Sequence, residues 1–443
     1  MSDSLQQHEP GTLIDEAADL PPPRGPWKML WYRFRKNRLA MLGASILIVL
    51  YLLSCFGGFI APYRVNEINK YTVKYGPMLL GGYSIEKIDE LIGEDENLDP
   101  VVVNTYTRNW NWFEGGVHFH DSDGNFTIRP HVHPLREYLS WDEYGETEYV
   151  LAEDRNISIP IRFFVSGSES HELFSLCGFF PIKGLPHLLG LSAEDIPDQP
   201  DLHTGIFFLG TDILGRDLWT RILYGGQVSL SVGLIGIFIS ISIGLVIGGI
   251  AGYYGGLADF FLMRLVELLL AIPGLYLILT LRYAIPDELS PRQTYMMIVA
   301  ILAIVGWAST GRMIRGMVLS LRESEYALAA RALGGSSARV ILRHLLPNTA
   351  SIVIVTATLY VPYYILGEVA LSFLGFGITE PDASWGLLLK DCQVSEVLKY
   401  NPWLIAPGFF IFLAVLAYNF LGDGLRDAAD PRAFLGVSKK ATS

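Results

Sequence analysis

The chain of 443 residues has only three cysteines, Cys55, Cys177 and Cys392. The count is odd and Cys55 lies in an apolar run, which argues against a disulfide framework. No GxxxxGK[ST] phosphate loop occurs anywhere, so the chain is not built to hydrolyse ATP itself. Charged residues make up only 18%, and the formal net charge is -12. A nucleic-acid binder needs the opposite sign. No cleavable leader is visible: the first apolar run starts near Leu39 behind a basic stretch and is too long for a signal h-region. What abounds is apolar side chain, 51% of the residues, gathered into six runs long enough to cross a bilayer.

The charge is unevenly placed. Ala61 to Arg221 carries 12 basic and 26 acidic residues, a local net charge of -14, and the remainder is near +2. Residues 1–38 precede the first span; within them Trp27 to Arg38 mixes aromatics with Lys28, Arg33, Arg35, Lys36 and Arg38. Such a segment suits a cytoplasmic membrane surface, where cations meet anionic lipid and rings sit among headgroups. Residues 39–60 form the first span, about 33 Å long as a helix. With the basic cluster inside, residues 61–220 become an extracytoplasmic insert. Tyr83 to Asp99 is acidic and is expected to include a short surface helix. VVVNTYTRNWNWF, NFTIRPHVH and ISIPIRFFVSG are β-branched and aromatic with partial alternation, and turn signals divide them at Glu114-Gly115-Gly116 and Asp121 to Gly124. They predict a compact, mainly antiparallel module.

Residues 221–422 hold the other five spans. The second, Val228 to Gly252, has Gly244 and Gly248 four apart, as close helix contact in lipid requires. The third runs from about Asp259 to Leu281 with a kink at Pro273-Gly274. The fourth is short, near Tyr295 to Gly311. The fifth, Asn348 to about Leu374, contains Pro362 and a carboxylate, Glu368, close enough to the outer end to meet water. A membrane carboxylate is a functional suspect, here for helix packing or pore lining, substrate contact or proton coupling. The sixth is Trp403 to Gly422, and residues 423–443 are a cytoplasmic tail.

Between the fourth and fifth spans lies a polar stretch, Glu323 to Pro347, with six arginines in and just before it: Arg312, Arg315, Arg322, Arg331, Arg339 and Arg343. Glu325 to Leu333 favours helix, with four alanines, two leucines and no β-branch. Gly334 and Gly335 stop that helix, since glycine tolerates the left-handed position at a helix end. Ser336 or Ser337 can cap a second helix running to Pro347. Two short helices joined by an elbow result.

This stretch resembles the coupling loop of ABC importer permeases, patterned Glu-Ala-Ala, three residues, Gly, nine residues, hydrophobic-x-Leu-Pro. Ala329, Ala330, Gly334, Leu346 and Pro347 fall on that spacing; Leu328 stands where the family has glutamate, and His344 takes the hydrophobic position. Three further strings resemble the peptide-type permeases. LGTDILGRD at 209–217, leading into the second span, includes Asp212, Gly215, Arg216 and Asp217. There Thr211 or Asp212 can cap a short helix, while Arg216, Asp217 and Arg221 hold the string at the surface; an Asp212–Arg216 pair would contribute a few tenths of a kcal/mol. The others are PDASWG at 381–386 and the ending GDGLRDAADPR at 422–432.

The resemblance implies an all-α membrane core of six transmembrane helices, the type I ABC importer permease fold, with a mixed, partly β insert between the first two. It implies the second permease of a dipeptide or oligopeptide importer, in a bacterial cytoplasmic (inner) membrane with both termini cytoplasmic. Its partners would be a second homologous permease, two ABC ATPase subunits, an extracytoplasmic peptide-binding protein and membrane lipid, with no nucleic acid. No cofactor is expected on this chain; ATP and Mg would be used by the ATPase subunits. The coupling residues would be Glu325, Leu328, Ala329, Ala330, Gly334, Gly335, Leu346 and Pro347, with Pro273, Pro362 and Glu368 as pathway or gating candidates. Nickel, opine and antimicrobial-peptide importers share much of the pattern. Readings of another class are a secondary transporter or channel, with Glu368 as its coupling charge, or a membrane-anchored structural or sensory protein.

One decoy stands in the insert. His118 and His120 are two apart, as are His131 and His133, so on strands they could share a face. The spacing is generic and Pro134 follows directly, which favours a surface hairpin over a metal site. Asp121, Asp123 and Asn125 open like a calcium loop, but Val132 stands where its glutamate is required. Asn125-Phe126-Thr127 and Asn156-Ile157-Ser158 are short glycosylation-type matches, relevant only in a eukaryotic secretory setting.

Overall fold

The structure, a computed structural model, describes residues 26–66, 202–286 and 289–429. Between these it describes 70–71, 106–107, 118–120, 126–141, 147–154, 156–175, 181–192 and 194–197. The acidic stretch 83–99, the turns at 114–116 and 121–124, and the ending from Asp430 onward lie outside the described residues.

Among the described residues, five helices are long and apolar enough to cross a membrane, and a bent pair makes a sixth candidate. The first is Arg38–Cys55, preceded by the basic helix Pro26–Lys36. Asn37 separates them: its side chain accepts from the backbone N–H groups of Leu39 and Ala40, capping the span. The second, Leu218–Tyr254, is longer than its apolar run because Asp217 caps it ten residues before Val228. The fourth, Pro291–Leu321, is nearly twice the expected length. A capping box between Ser290 and Gln293, with Pro291 at the first turn, starts it early, and its arginine-bearing end continues past Gly311 without a break. The last is formed by Pro402–Ile405 and Ala406–Ala429.

The third span is not a kinked helix. Gly256–Ala271 and Gly274–Tyr283 meet at 91°. Pro273 brings no N–H and forces the residue before it out of helical conformation, and Ile272 is extended at φ -87, ψ 129. The fifth begins earlier than expected. Ser337–Arg339, a π-helical turn Val340–Leu345 and Leu346–Phe373 form one continuous rod, so Pro347 does not end a helix; it stands at the start of the last segment, directly after the π-helical turn.

The second and fourth helices pack along their length. A Cβ on Gly248 would stand 2.5 Å from the Gly311 carbonyl, so only glycine permits that backbone approach. Leu230, Val232, Ile298, Leu302 and Ile365 fill the core between these helices and the fifth.

The described parts of the insert are antiparallel throughout. Leu135–Trp141 pairs with Thr147–Glu153 on one side and Leu202–His203 on the other. Phe126–Val132 pairs with His118–His120 and Ile159–Pro160. Lys70–Tyr71 pairs with Tyr106–Thr107. A long hairpin of Arg162–Ser175 and Pro181–Gly190 lies against the C-terminal end of the first span.

Candidate functional site

At one end of the bundle the polar stretch folds as an elbow. Glu325–Ala332 is helical, and Gly334, at φ 79, turns the chain with nothing within 4 Å of the position of a Cβ. The N–H of Gly335 donates to the Ala330 carbonyl at 3.0 Å and that of Gly334 to Arg331 at 2.9 Å, the paired closure of a Schellman motif. Ser336 occupies the next N-cap position, though its side chain makes no capping bond. Beneath the elbow Ile314, Val318, Ala327, Val340, Ile341 and Leu345 are buried together. Above it Glu325, Leu328, Ala329, Gly334 and Pro347 are exposed, Ala330, Gly335 and Leu346 partly so. Leu333, absent from the sequence-derived set, is 88% exposed beside the turn.

Arginines brace this elbow. Arg331 donates to the Arg322 carbonyl at 2.7 Å, and Arg322 to the carbonyls of Gly252 and Tyr253 at the end of the second helix. Arg315 makes a two-pronged pair with Asp259 of the bent third span. These bonds tie the elbow to the ends of the second and fourth spans and the fourth span to the third, and the chain continues from the elbow directly into the fifth.

The opposite end holds the 209–217 string, whose charged residues are not at the surface. Asp212, Arg216 and Arg221 are 2%, 6% and 1% exposed. Arg216 Nε donates to Asp212 at 2.7 Å, and its two terminal nitrogens to Glu380 at 2.7 and 3.0 Å. Arg221 bridges the same two carboxylates at 3.1 and 3.0 Å. The isolated pair expected from spacing is thus half of a four-membered network, in which each charge is compensated by two of opposite sign; Asp212, Arg216 and Arg221 are buried, and Glu380 closes the network from its exposed rim. Asp212 caps no helix; it accepts from the N–H groups of Leu214 and Arg216 while Gly215 turns at φ 75. Capping falls to Asp217, which accepts from Thr220, and burial pushes its carboxyl up to about 7. Beside the network, burial and the nearby Asp212 and Glu380 push Asp391 up to about 6. Glu380 and Arg221 were missed as network members because 159 residues separate them; only the adjacency of Glu380 to the PDASWG string pointed there.

Glu368 does not meet water: it is fully buried. Ser229 of the second span and Ser372 of its own helix each donate to it at 2.7 Å. Those hydroxyls in turn accept from the backbone N–H groups of Trp385 and Ile378, each at 3.1 Å. One carboxylate thereby ties two spans to the PDASWG segment. Pro362 is buried inside the fifth helix, and Pro273 marks the break in the third. Neither lies in the Glu368 network.

In the insert, His118 faces His131 across the strand pair, and the rings of His118, His131 and His133 lie 4.9–6.1 Å apart. His131 and His133 are buried, contrary to a surface hairpin, with Nδ1 atoms against the carbonyl oxygens of Arg129 and Ile157. His120 lies in the same strand as His118. Among the described residues no three His, Cys, Asp or Glu side chains are arranged to hold a metal ion.

A bundle of five or six membrane-length helices with a braced polar elbow at one end is the architecture of a multi-pass membrane protein. Residues 244–435 match the profile of the binding-protein-dependent transport system inner membrane component, and residues 25–77 that of the N-terminal TM domain of oligopeptide transport permease C. The chain is 40% identical to the dipeptide transport system permease DppC of Bacillus subtilis over 243 residues, 55% of this chain and 72% of that protein. It is 43% identical to the oligopeptide permease OppC of Haemophilus influenzae, over 52% of this chain and 71% of that one. With OppC of Mycobacterium tuberculosis it shares 41% identity, over 57% of this chain and 86% of that one. The crystal structure of an amino acid ABC transporter with histidines overlaps 46% of this chain and 91% of its own, at 15% identity and a TM-score of 0.34. The chain belongs to the OppC/DppC-type permeases of the binding-protein-dependent ABC transport family. Residues 78–243, most of the insert among them, fall outside both profile matches.

Proposed function

We propose that this chain is the second permease of an ATP-driven peptide importer in a bacterial inner membrane, forming half of the translocation pathway. The observation that carries the coupling role is the elbow: a glycine-turned polar pair of helices, braced to four spans, with Leu333 standing free at its tip. An ATPase subunit gripping that tip would move the spans together. The chain carries no phosphate loop, so hydrolysis falls to partner subunits, two ATPases acting with a second, related permease and an external peptide-binding protein. Both termini are cytoplasmic in this reading, since base is richest at the first helix and the elbow. The insert lies on the other side, where its acidic surface docks the binding protein or caps the mouth.

ATP-dependent peptide uptake tests the proposal, in vesicles containing this chain with its genomically adjacent partners and an ATPase-dead control. Uptake that disappears in the control is expected. Uptake by this chain alone without nucleotide would overturn the assignment in favour of a secondary transporter.

A further inference from the structure

We propose that the hairpin Arg162–Ser175/Pro181–Gly190 is seated in the lipid headgroup layer, with Phe163, Phe164, Ile182 and Leu185 turned to lipid beside the first span. Its depth follows from what holds it. The first span rises about 27 Å from Arg38 to Cys55, close to the roughly 30 Å hydrocarbon thickness, so Phe56 to Ala61 lie at the far water boundary. The hairpin is fixed to those residues. Phe174 packs on Phe56 with ring centroids 4.9 Å apart, and Phe164 on Phe59 at 6.1 Å. The buried His187 meets the Ala61 carbonyl through Nδ1 at 2.7 Å. Tyr224 of the second span donates to the Glu172 carbonyl at 3.1 Å, a tie from a second helix at the same level.

At that depth the hairpin leaves large apolar side chains uncovered: Phe163 is 62% exposed, Phe164 67%, Ile182 60% and Leu185 46%. Phe164 packs on Phe59, and Ile182 is the cross-strand partner of Phe174, which packs on Phe56, so the apolar set continues from the residues that end the first span. A regular strand sends consecutive side chains to opposite faces. Phe164, however, has φ 58, a conformation costly for a bulky residue, and the alternation breaks where both phenylalanines are exposed. Lys183 and Arg162, the latter paired with Asp195 at 2.7 Å, are also exposed and flank the apolar set. Rings and aliphatics bordered by cations are the composition of a bilayer interface, whereas a face turned to bulk water would not retain them. The hairpin would thus hold the insert at a fixed height and tilt over the membrane.

The test places a nitrobenzoxadiazole label at Phe163→Cys or Ile182→Cys, with Cys55, Cys177 and Cys392 replaced by alanine. The full chain and its co-expressed partner subunits are reconstituted in phosphatidylcholine nanodiscs, with and without lipid bearing a nitroxide near the headgroup. Blue-shifted emission that loses most of its intensity with nitroxide lipid is expected. Water-like emission, or blue-shifted emission that the nitroxide leaves intact because a protein covers the site, would overturn the proposal. The unaltered protein supplies a second reading with photoactivatable phosphatidylcholine. Adducts should map to residues 162–166 and 181–185 as well as to the first span; adducts on the span alone would also overturn it.

Discussion

Glu368 shows how much one buried side chain organises. Its two oxygens receive Ser229 and Ser372, and those hydroxyls position the backbone at Trp385 and Ile378. Glu368→Ala leaves two buried hydroxyls without their acceptor, and should cost about 2–4 kcal/mol. Glu368→Gln keeps one acceptor oxygen and should lose less than half of that. Thermal unfolding of the detergent-solubilised chain distinguishes them, and equal losses would show that the hydrogen bonds are not what stabilises the site. Asp391 carries a pH signature of its own. Its carboxyl, raised to about 6 mainly by burial, titrates above the unfolded value of about 4. The folded state therefore keeps its proton longer, so stability falls as pH rises from about 4 through 6 and the full cost is present at pH 7. Asp391→Asn removes this. The variant should gain about 1 kcal/mol over the parent at pH 7, allowing for solvent screening of a half-buried group, and nothing at pH 4. Equal differences at both pH values would refute the linkage.

At the scale of the element, the elbow was legible and its surroundings were not. Alanine-rich helix, paired glycines and a following serine state the turn locally, and Gly334 adopts the left-handed conformation they call for. Gly334→Val should strain the turn by about 1–2 kcal/mol. Since nothing packs against that position, the chain should still insert and fold while peptide uptake drops severalfold and ATP hydrolysis persists uncoupled. Gly334→Asn, which tolerates the same conformation, should restore most uptake. Unchanged uptake in the valine variant would remove the elbow from the coupling path. Elements whose form depends on long-range partners escaped the sequence. Pro273 announces a bend, yet its spacing alone does not distinguish a kink from the 91° break that the structure has. The strand Pro181–Gly190 reads as a loop, having two prolines and two glycines, and is a strand because Arg162–Ser175 pairs with it. Asp212 and Arg216 were visible as a pair, but Glu380 comes from a distant loop, and only folding buries that pair with Arg221 and brings the half-exposed Glu380 onto both arginines.

Over the whole molecule, apolar runs and basic flanks fixed the membrane core, because a bilayer leaves a chain few ways to satisfy its backbone. The insert obeys no such constraint, and its charge is its clearest property. Its described hairpin packs on the first span, so deleting residues 65 to 200 would also uncover Phe56, Phe59 and Ala61 and confuse docking with stability. Neutralisation separates the two effects. Replacing Glu86, Asp89, Glu90, Glu94, Asp95, Glu96 and Asp99 by their amides removes seven negative charges from a segment whose net charge is -14. If that acidic surface attracts the binding protein, the main loss should be in association rate, by about tenfold at low salt and much less at 0.15 M, where screening reaches within about 8 Å. Uptake at saturating binding protein should be unchanged if, as proposed, coupling runs through the elbow at the other end of the spans. Stopped-flow association in nanodiscs at two ionic strengths measures it. A rate unaffected at either would assign the acidic charge to something other than docking, whereas a fall in saturated uptake with normal docking would make the insert part of the pathway itself.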